Sequence, residues 1–287
     1  MMKKLLALLL LLTLPVMASA EVYIIADESG LPADWPQQDI LRMTVVDTNR
    51  SDAILLQCGG ENMMVDGGFN SHYKRVFETL DQRGVTELKY LYSTHCDGDH
   101  SEGLTTIINS ELYNPGVLLS PNSKTYDDPD DHHEKLVRAA QRHNVPYQQI
   151  DDGDVFTLGE ATITVIRCQE KWGQNARSAA CLVEYKGSRL LMLADVSNRV
   201  LNHFLETRDT SLFACDVMKA PHHGIDGVND AFMAVSNPEA IICTNNTSYD
   251  HDKKLEEAGA LYSGDGTVIC ETDGTDWYIW QQPNWID

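Results

Sequence analysis

The densest chemistry in the chain is the run Thr94-His95-Cys96-Asp97-Gly98-Asp99-His100, which sets four potential metal ligands within six residues. Imidazole and carboxylate together suit zinc, manganese or iron, and the oxygen-rich mixture leans away from a purely zinc site. In an extended turn His95, Asp97 and Asp99 project to one side, and His100 joins them where a helix begins. Gly98 lets the backbone bend between the two carboxylates. Crowded carboxylates repel and desolvate one another, a cost that a bound dication relieves. An ordinary helix start would need only Asp99 as its cap, so the remaining groups point to metal.

Two distant segments add to this. The apolar strand Arg189–Leu193 ends at Ala194-Asp195-Val196, leaving a carboxylate that could bridge two metals about 3.5–4 Å apart. Its other role would be to cap the helix that follows. The run Val217-Met218-Lys219-Ala220-Pro221-His222-His223-Gly224 puts adjacent histidines at another strand end. Only one of such a pair faces a given point, so one ligand is expected, with the other supporting a ligand or meeting substrate.

These tips need a scaffold. Alternation and turn residues predict strands over 41–47, 53–58, 62–65, 88–92, 116–120, 155–158, 161–168, 180–185, 189–193, 217–220, 240–243, 267–272 and 277–281. Helical spacing predicts helices over 73–83, 104–112, 133–143, 200–206, 230–236 and 253–260. Two series of mostly antiparallel strands with helices between them imply an α/β fold: two mixed sheets packed face to face with helices outside, a four-layer αββα sandwich. No internal repeat is visible at a 20–50 residue period.

With these motifs laid out, the chain resembles the metallo-β-lactamase fold superfamily, and within it the C-terminal hydrolase domain of ComEC-type DNA-uptake proteins. That branch replaces the second histidine of the usual His-x-His-x-Asp-His by aspartate, as His95-x-Asp97-x-Asp99-His100 does. Val45-Val46-Asp47 through Asp52-Ala53-Ile54-Leu55-Leu56 is similar to its opening strand pair, and Val65-Asp66-Gly67-Gly68 to its Ile-Asp-x-Gly. Asn175 to Leu182, with Ser178, resembles its Asn-x-x-Ser entry to a strand. Ala194-Asp195, Lys219–Gly224 and His251 resemble its Gly-Asp, Lys-x-Pro-His-His-Gly and late His. The resemblance implies one or two divalent ions (zinc or manganese), with His95 and Asp97 on one and Asp99 and His100 on the other. It implies Asp195 as bridge and His223 as the ligand of the His pair. Asp66, Asn175, Ser178 and His251 are possible further site residues, Asn175 and Ser178 standing where the superfamily has another His. Departures occur at Asn49-Arg50-Ser51-Asp52, where the branch has Gly-Gln-Gly-Asp, and at Ile225, where it has Ser.

The activity so implied is phosphodiester or nucleic-acid cleavage by a hydroxide held between the metals. Lys219 with His222 or Asn246 would steady the phosphoryl charge, and Asp97 or Asp99 would position the water. The charge speaks against nucleic acid: 22 basic against 43 acidic residues give −21, with no Lys/Arg cluster of the kind a nucleic-acid enzyme carries. A small phosphodiester, ester or lactone is therefore the second enzymatic expectation, and a β-lactam a weaker one. A non-catalytic metal-binding protein on the same scaffold is the third.

Lys3 and Lys4, the apolar stretch Leu5–Leu14 and Ala18-Ser19-Ala20 form a cleavable leader, too short to span a bilayer. The expected organisation is thus a signal peptide over 1–20 and one hydrolase domain over 21–287, secreted or periplasmic, with no membrane span after cleavage. Seven cysteines allow disulfides there, the odd number leaving one over. No CxxC occurs, and Cys96 stands among the ligands as an oxidation-sensitive position. The run Asp127-Asp128-Pro129-Asp130-Asp131 lacks calcium-loop spacing and reads as a solvated loop, with His132 and His133 exposed beside it. Trp277, Trp280 and Trp285 read as packing residues. His72 and His203 have no clustered partner and read as bystanders.

Overall fold

The computed structural model describes residues 20–36, 39–121 and 131–283. The expected leader apart from Ala20, residues Asp127 to Asp130 and Trp285 lie outside the described residues.

The chain first lays down β1 (Val22–Ile24), β2 (Leu41–Val45), β3 (Ile54–Cys58), β4 (Glu61–Val65), β5 (Glu87–Tyr92), β6 (Asn114–Pro121) and β7 (Tyr147–Ile150). It continues with β8 (Val155–Leu158), β9 (Ala161–Ile166), β10 (Ala180–Tyr185), β11 (Ser188–Met192), β12 (Val217–Lys219), β13 (Ala240–Cys243) and β14 (Leu261–Tyr262), then closes with β15 (Val268–Thr272) and β16 (Trp277–Gln281). The described strands form a nine-stranded sheet ordered β1-β16-β15-β2-β3-β4-β5-β6-β7 and a seven-stranded sheet ordered β14-β13-β12-β11-β10-β9-β8. Helices α1 (Tyr73–Gln82), α2 (Gly98–Ser110) and α3 (His132–Arg142) cover the first sheet through Val76, Leu80, Leu104, Ile107 and Leu136. Helices α4 (Asn198–Thr207), α5 (Asp230–Ser236) and α6 (Lys253–Glu257) cover the second through Phe204, Phe232 and Leu255.

The four expected layers are present. Antiparallel pairing is less dominant than expected, because each sheet divides into two regions. β15-β2-β3-β4 and β8-β9-β10-β11 pair antiparallel. β4-β5-β6-β7 and β11-β12-β13-β14 pair parallel. Helices α1–α3 and α4–α6 supply the crossovers that parallel strands require. Both halves therefore follow one plan, a meander running into βαβαβαβ, although no repeat shows in the sequence.

Period-two burial explains the two faces. In β2 and β3, Leu41, Met43, Val45, Ile54 and Leu56 point between the sheets, while Leu55 points to the helices of its own side. In β11, Leu190 and Met192 face the seam and Leu191 the second helical layer. Trp277 is fully buried in the seam and Trp280 nearly so. Strands β1, β7 and β14 were not expected; β1 and β7 lie at sheet edges, are short and largely exposed, and carry little periodic signal. Helix α2 starts at Gly98, six residues earlier than its apolar pattern shows.

Its first two turns are pinned by a backbone contact between Gly67, just after β4, and Gly103. A Cβ on Gly103 would lie 1.8 Å from the Gly67 oxygen, so only glycine lets α2 approach β4 this closely.

All seven cysteines are free and buried, so none of the allowed disulfides forms. His132 is half-buried against Glu102 rather than exposed, and His133 packs edge-on to Tyr147. Among the described residues no helix is long and apolar enough to cross a membrane.

Candidate metal centre

Each site residue follows the carboxyl end of a strand. Asp66 follows β4, the His95–His100 turn follows β5, Asp195 follows β11, the His222-His223 pair follows β12 and Thr244 follows β13. Since β4-β5 and β11-β12-β13 run parallel within their sheets, these ends gather on one rim, where open parallel sheets place their sites.

Asp195 is the hub. Its Oδ1 lies 3.3 Å from His100 Nε2, and its Oδ2 lies 3.9 Å from His95 Nε2, 3.6 Å from His223 Nε2 and 3.9 Å from His222 Nε2. His95 Nε2 also faces Asp97 Oδ2 at 3.3 Å, and His223 Nε2 faces Asp99 Oδ2 at 3.2 Å. Asp99 Oδ1 is 3.9 Å from His100 Nε2. All six expected metal-ligating groups are thus linked around Asp195 through contacts of 3.9 Å or less. Neither aspartate suspected of mere capping caps: the caps are Asp97, whose side chain does not bond its helix, and Ser197.

The far nitrogens of two rings are held from behind. His100 Nδ1 contacts Asp66 Oδ2 at 2.7 Å, and Asp66 also accepts from the Thr94 N–H at 2.8 Å and its hydroxyl at 2.6 Å. His223 Nδ1 lies 3.0 Å from both Asp52 Oδ1 and Thr244 Oγ1. Such outer partners fix the tautomer that leaves Nε2 free as a ligand.

The test of metal fitness is hydrogen bonding. His95 Nε2, His100 Nε2, His223 Nε2 and Asp195 Oδ1 are buried and make no hydrogen bond. Buried polar atoms are otherwise almost always satisfied. Four orphans converging within a few ångströms, three neutral-imidazole donors and a carboxylate, fit one or two divalent cations. The tightest four-residue group, with ligand atoms within 4.8 Å of one another, is Asp52, His100, Asp195 and His223. Asp52, however, is engaged by Lys219, Thr244 and His223 Nδ1, which makes it a support rather than a ligand.

Electrostatics agree. Burial alone would raise Asp195, but His100, His223 and His95 hold its carboxyl well below the usual range. Burial likewise opposes ionisation of Asp99, yet His100 and His223 bring it to about 2. Burial would lower His100 and His223; the surrounding carboxylates, Asp195 foremost, lift His100 far up and His223 to about 9. Without metal the site binds protons where a cation would sit.

The backbone is strained where it turns into the site. Asp66, Ala194, His222 and His223 all adopt left-handed φ, at 53°, 46°, 47° and 57°, a geometry costing non-glycine residues about 1–3 kcal/mol each and typical of functional sites. The mouth is formed by Asp97, Asp99 and His222, whose side chains are 27%, 23% and 30% exposed. His222 Nδ1 rests on Asp226 Oδ2 at 2.6 Å, leaving Nε2 toward the opening.

Four expectations need correction. Lys219 is fully buried behind the cluster, paired with Asp52 and donating to Ala194 O, so Asp52 separates it from anything at the mouth. Asn246 spends its amide on Gly264 O and its oxygen on Ser248 N in closing a loop. His251 binds Tyr249 O and Glu256 against the Tyr262 ring and stands apart from the hub. Ser178 donates to Asn175 O in a short turn, and it is the neighbouring Gln174 that reaches Asp97 Oδ1. His72 and His203 stay outside the cluster, beside Asn49 and Trp172. The supporting roles of Asp52, Thr244 and Gln174 were missed. Thr244 carries the signal that revealed Asp195, a polar residue at an apolar strand tip; Gln174 carries none.

No family model and no curated protein matches the chain. Solved structures do. The metallo-β-lactamase fold protein YhfI from Bacillus subtilis overlays with a TM-score of 0.52 at 11% identity, covering 77% of this chain and 95% of its own. CmlA, a diiron β-hydroxylase from Streptomyces venezuelae, gives 0.51 at 13% identity over 79% of this chain and 53% of its own, so the chain spans about half its length. A diphosphatase of the PhnP family gives 0.50 at 10% identity over 81% and 98%. At such identities the likeness shows the fold, and the chain has the metallo-β-lactamase fold. The narrower ComEC-type resemblance rests on the sequence motifs alone.

Proposed function

We propose that the chain is a metal-dependent hydrolase acting on phosphodiesters. The observation that carries this reading is the convergence of three unpartnered imidazole Nε2 atoms on the Asp195 carboxylate, His100 on its unpartnered Oδ1 and His95 and His223 on its Oδ2.

Zinc or manganese held by His95, Asp97, Asp99, His100, Asp195 and His223 would polarise the scissile group and supply a water acidic enough to attack near neutral pH. The chain's own residues do the rest. Asp66 and Asp52 hold His100 and His223 in the binding tautomer. Asp195, with an oxygen toward each side, spans both halves of the ligand set. Asp97 and Asp99 reach the mouth, where a carboxylate orients water. His222 presents Nε2 at the same opening, positioned to hydrogen-bond the reacting group while Asp226 steadies the ring.

The phosphodiester preference is supported by the His-x-Asp-x-Asp-His and Lys-x-Pro-His-His-Gly motifs. A second reading, a small ester or lactone, is favoured by the charge of −21, which repels long polyanions at a distance. Residues 1–20 support export, and a mature N-terminus at Glu21 in the extracytoplasmic fraction is its check.

Metal-stripped protein reloaded with zinc or manganese, then offered bis(p-nitrophenyl) phosphate, single-stranded DNA, a lactone and a cephalosporin, tests the proposal. Chelator-sensitive phosphodiester turnover is expected. Stoichiometric metal without turnover of any of them would sink it and leave a metal-binding protein.

A further inference from the structure

We infer that the groove between α2 and α3 binds the flanking phosphates of an extended phosphodiester chain and leads that chain to the metal centre. The inference rests on the phosphodiesterase reading and names its substrate as a single-stranded oligonucleotide.

A chain with 22 basic and 43 acidic residues has few cations to concentrate, yet α3 aligns several. Lys135, Arg138 and Arg142 follow one another at helical spacing along one exposed face, while Leu136, Ala139 and Ala140 are buried. Linear reading scatters these cations; the 3.6-residue turn gathers them. They edge an open groove of about 580 Å³ lined by Thr105, Lys135, Arg138, Gln141 and Arg142. A second lobe of about 270 Å³ shares Thr105 and Lys135 and adds Ser101, Glu102 and His132.

Among the described residues Glu102 is the one acid lining either lobe, and its carboxylate is engaged by the Asn70 N–H at 3.0 Å and by His132 at 3.4 Å. Arg138 pairs with Glu134, but both are more than half exposed, and such pairs hold little energy. Among the described residues the outer lobe is therefore lined by three cations and no acid, with Glu134 beside Arg138.

It also points at the chemistry. A Cβ on Gly98 would lie 2.8 Å from His132 Cε1, so the inner lobe ends against the residue that separates Asp97 from Asp99. Ser101, on the lobe wall, donates to the Asp97 carbonyl at 3.0 Å. From Lys135 to Arg142 the helix rises about 10 Å, room for more than one phosphate of an extended strand. Guanidinium and ammonium groups suit phosphate oxygens, and among the described residues the lining offers no Phe, Tyr or Trp for base stacking. Binding should read the backbone and ignore base identity.

The test compares the metal-loaded full chain with the triple variant Lys135→Gln, Arg138→Gln, Arg142→Gln. It measures fluorescence anisotropy of labelled single-stranded oligonucleotides over a salt series, and steady-state rates on an oligonucleotide and on bis(p-nitrophenyl) phosphate. At roughly 0.7 per phosphate contact, the slope of log affinity against log salt should become shallower by about 2 in the variant. Its KM for oligonucleotide should rise at least about tenfold, with turnover of the small diester unchanged. Equal oligonucleotide binding by both proteins overturns the inference, as does competition by polyglutamate as strong as by the oligonucleotide, which would mark an acidic protein partner. Salt-dependent binding lost in the variant, with no diester cleavage by either protein, would instead fail the catalytic reading and keep the groove.

Discussion

His100 turns its Nδ1 to Asp66 across 2.7 Å, so the Nε2 lone pair is the one that faces Asp195. The direction is enforced, because both Asp66 oxygens already accept from Thr94.

Asp66→Asn tests that enforcement. The Thr94 N–H demands an oxygen at one position, so the new amide NH₂ must face His100 Nδ1. Two donors cannot share a contact, and the proton is driven to Nε2. Metal affinity should fall by about 10–100-fold, read by competition with a chromophoric chelator, with the fold unchanged by circular dichroism.

Asp195→Asn removes the charge at the hub while keeping its shape. The expected result is loss of at least one equivalent of metal by elemental analysis, with turnover reduced at least about 100-fold. Full metal content with wild-type rates would show that Asp195 is not the bridge.

Asp52 and Lys219 form a buried ion pair beneath the ligands. Burial alone would raise Asp52, but Lys219, then His100 and His223, keep it ionised. Lys219→Met strands a buried carboxylate and should cost about 3–5 kcal/mol in urea unfolding. Combining it with Asp52→Asn should recover part of that, whereas an additive loss would mean that the two do not act as a pair.

His223 sets a pH dependence for the metal-free protein. Its folded value of about 9 lies above the ordinary 6.5. The stabilisation is therefore complete below about 6.5 and is lost as pH rises through 9. The melting temperature of chelated protein should fall over that window. Metal holds the ring neutral and adds about 4 kcal/mol at a thousand times its Kd, so the loaded protein should lose this slope. Identical slopes with and without metal would count against His223 as a ligand.

Gly103→Ala would place a methyl group 1.8 Å from the Gly67 oxygen. Either α2 moves or the contact breaks, at about 1–3 kcal/mol or more. Because Asp99 and His100 ride on that first turn, metal retention should fall with stability, as calorimetry and elemental analysis would show.

The ligand turn, Asp195 and His223 were legible because each pairs an apolar strand with an abrupt polar tip, a contrast visible in one dimension. Lys219 was misjudged for the same reason: adjacency to a site in sequence does not say which side of it a side chain occupies, and this ammonium lies behind Asp52. The start of α2 was hidden because residues 98–103, chosen for chemistry and close approach, include two glycines and four polar side chains that obscure the apolar period. The balance of parallel and antiparallel pairing could not be seen, since burial patterns do not record strand direction. The cationic edge of α3 became visible only once the helix axis was fixed.

The ligands divide by layer: the His95–His100 turn belongs to the nine-stranded sheet, Asp195 and His223 to the seven-stranded one. A cation seated there rivets two separately built halves, and a chain that docks them out of alignment has nowhere to keep it. Metal retention then doubles as proof of correct assembly, which matters most to a protein whose seven buried thiols form no disulfide to lock a finished shape.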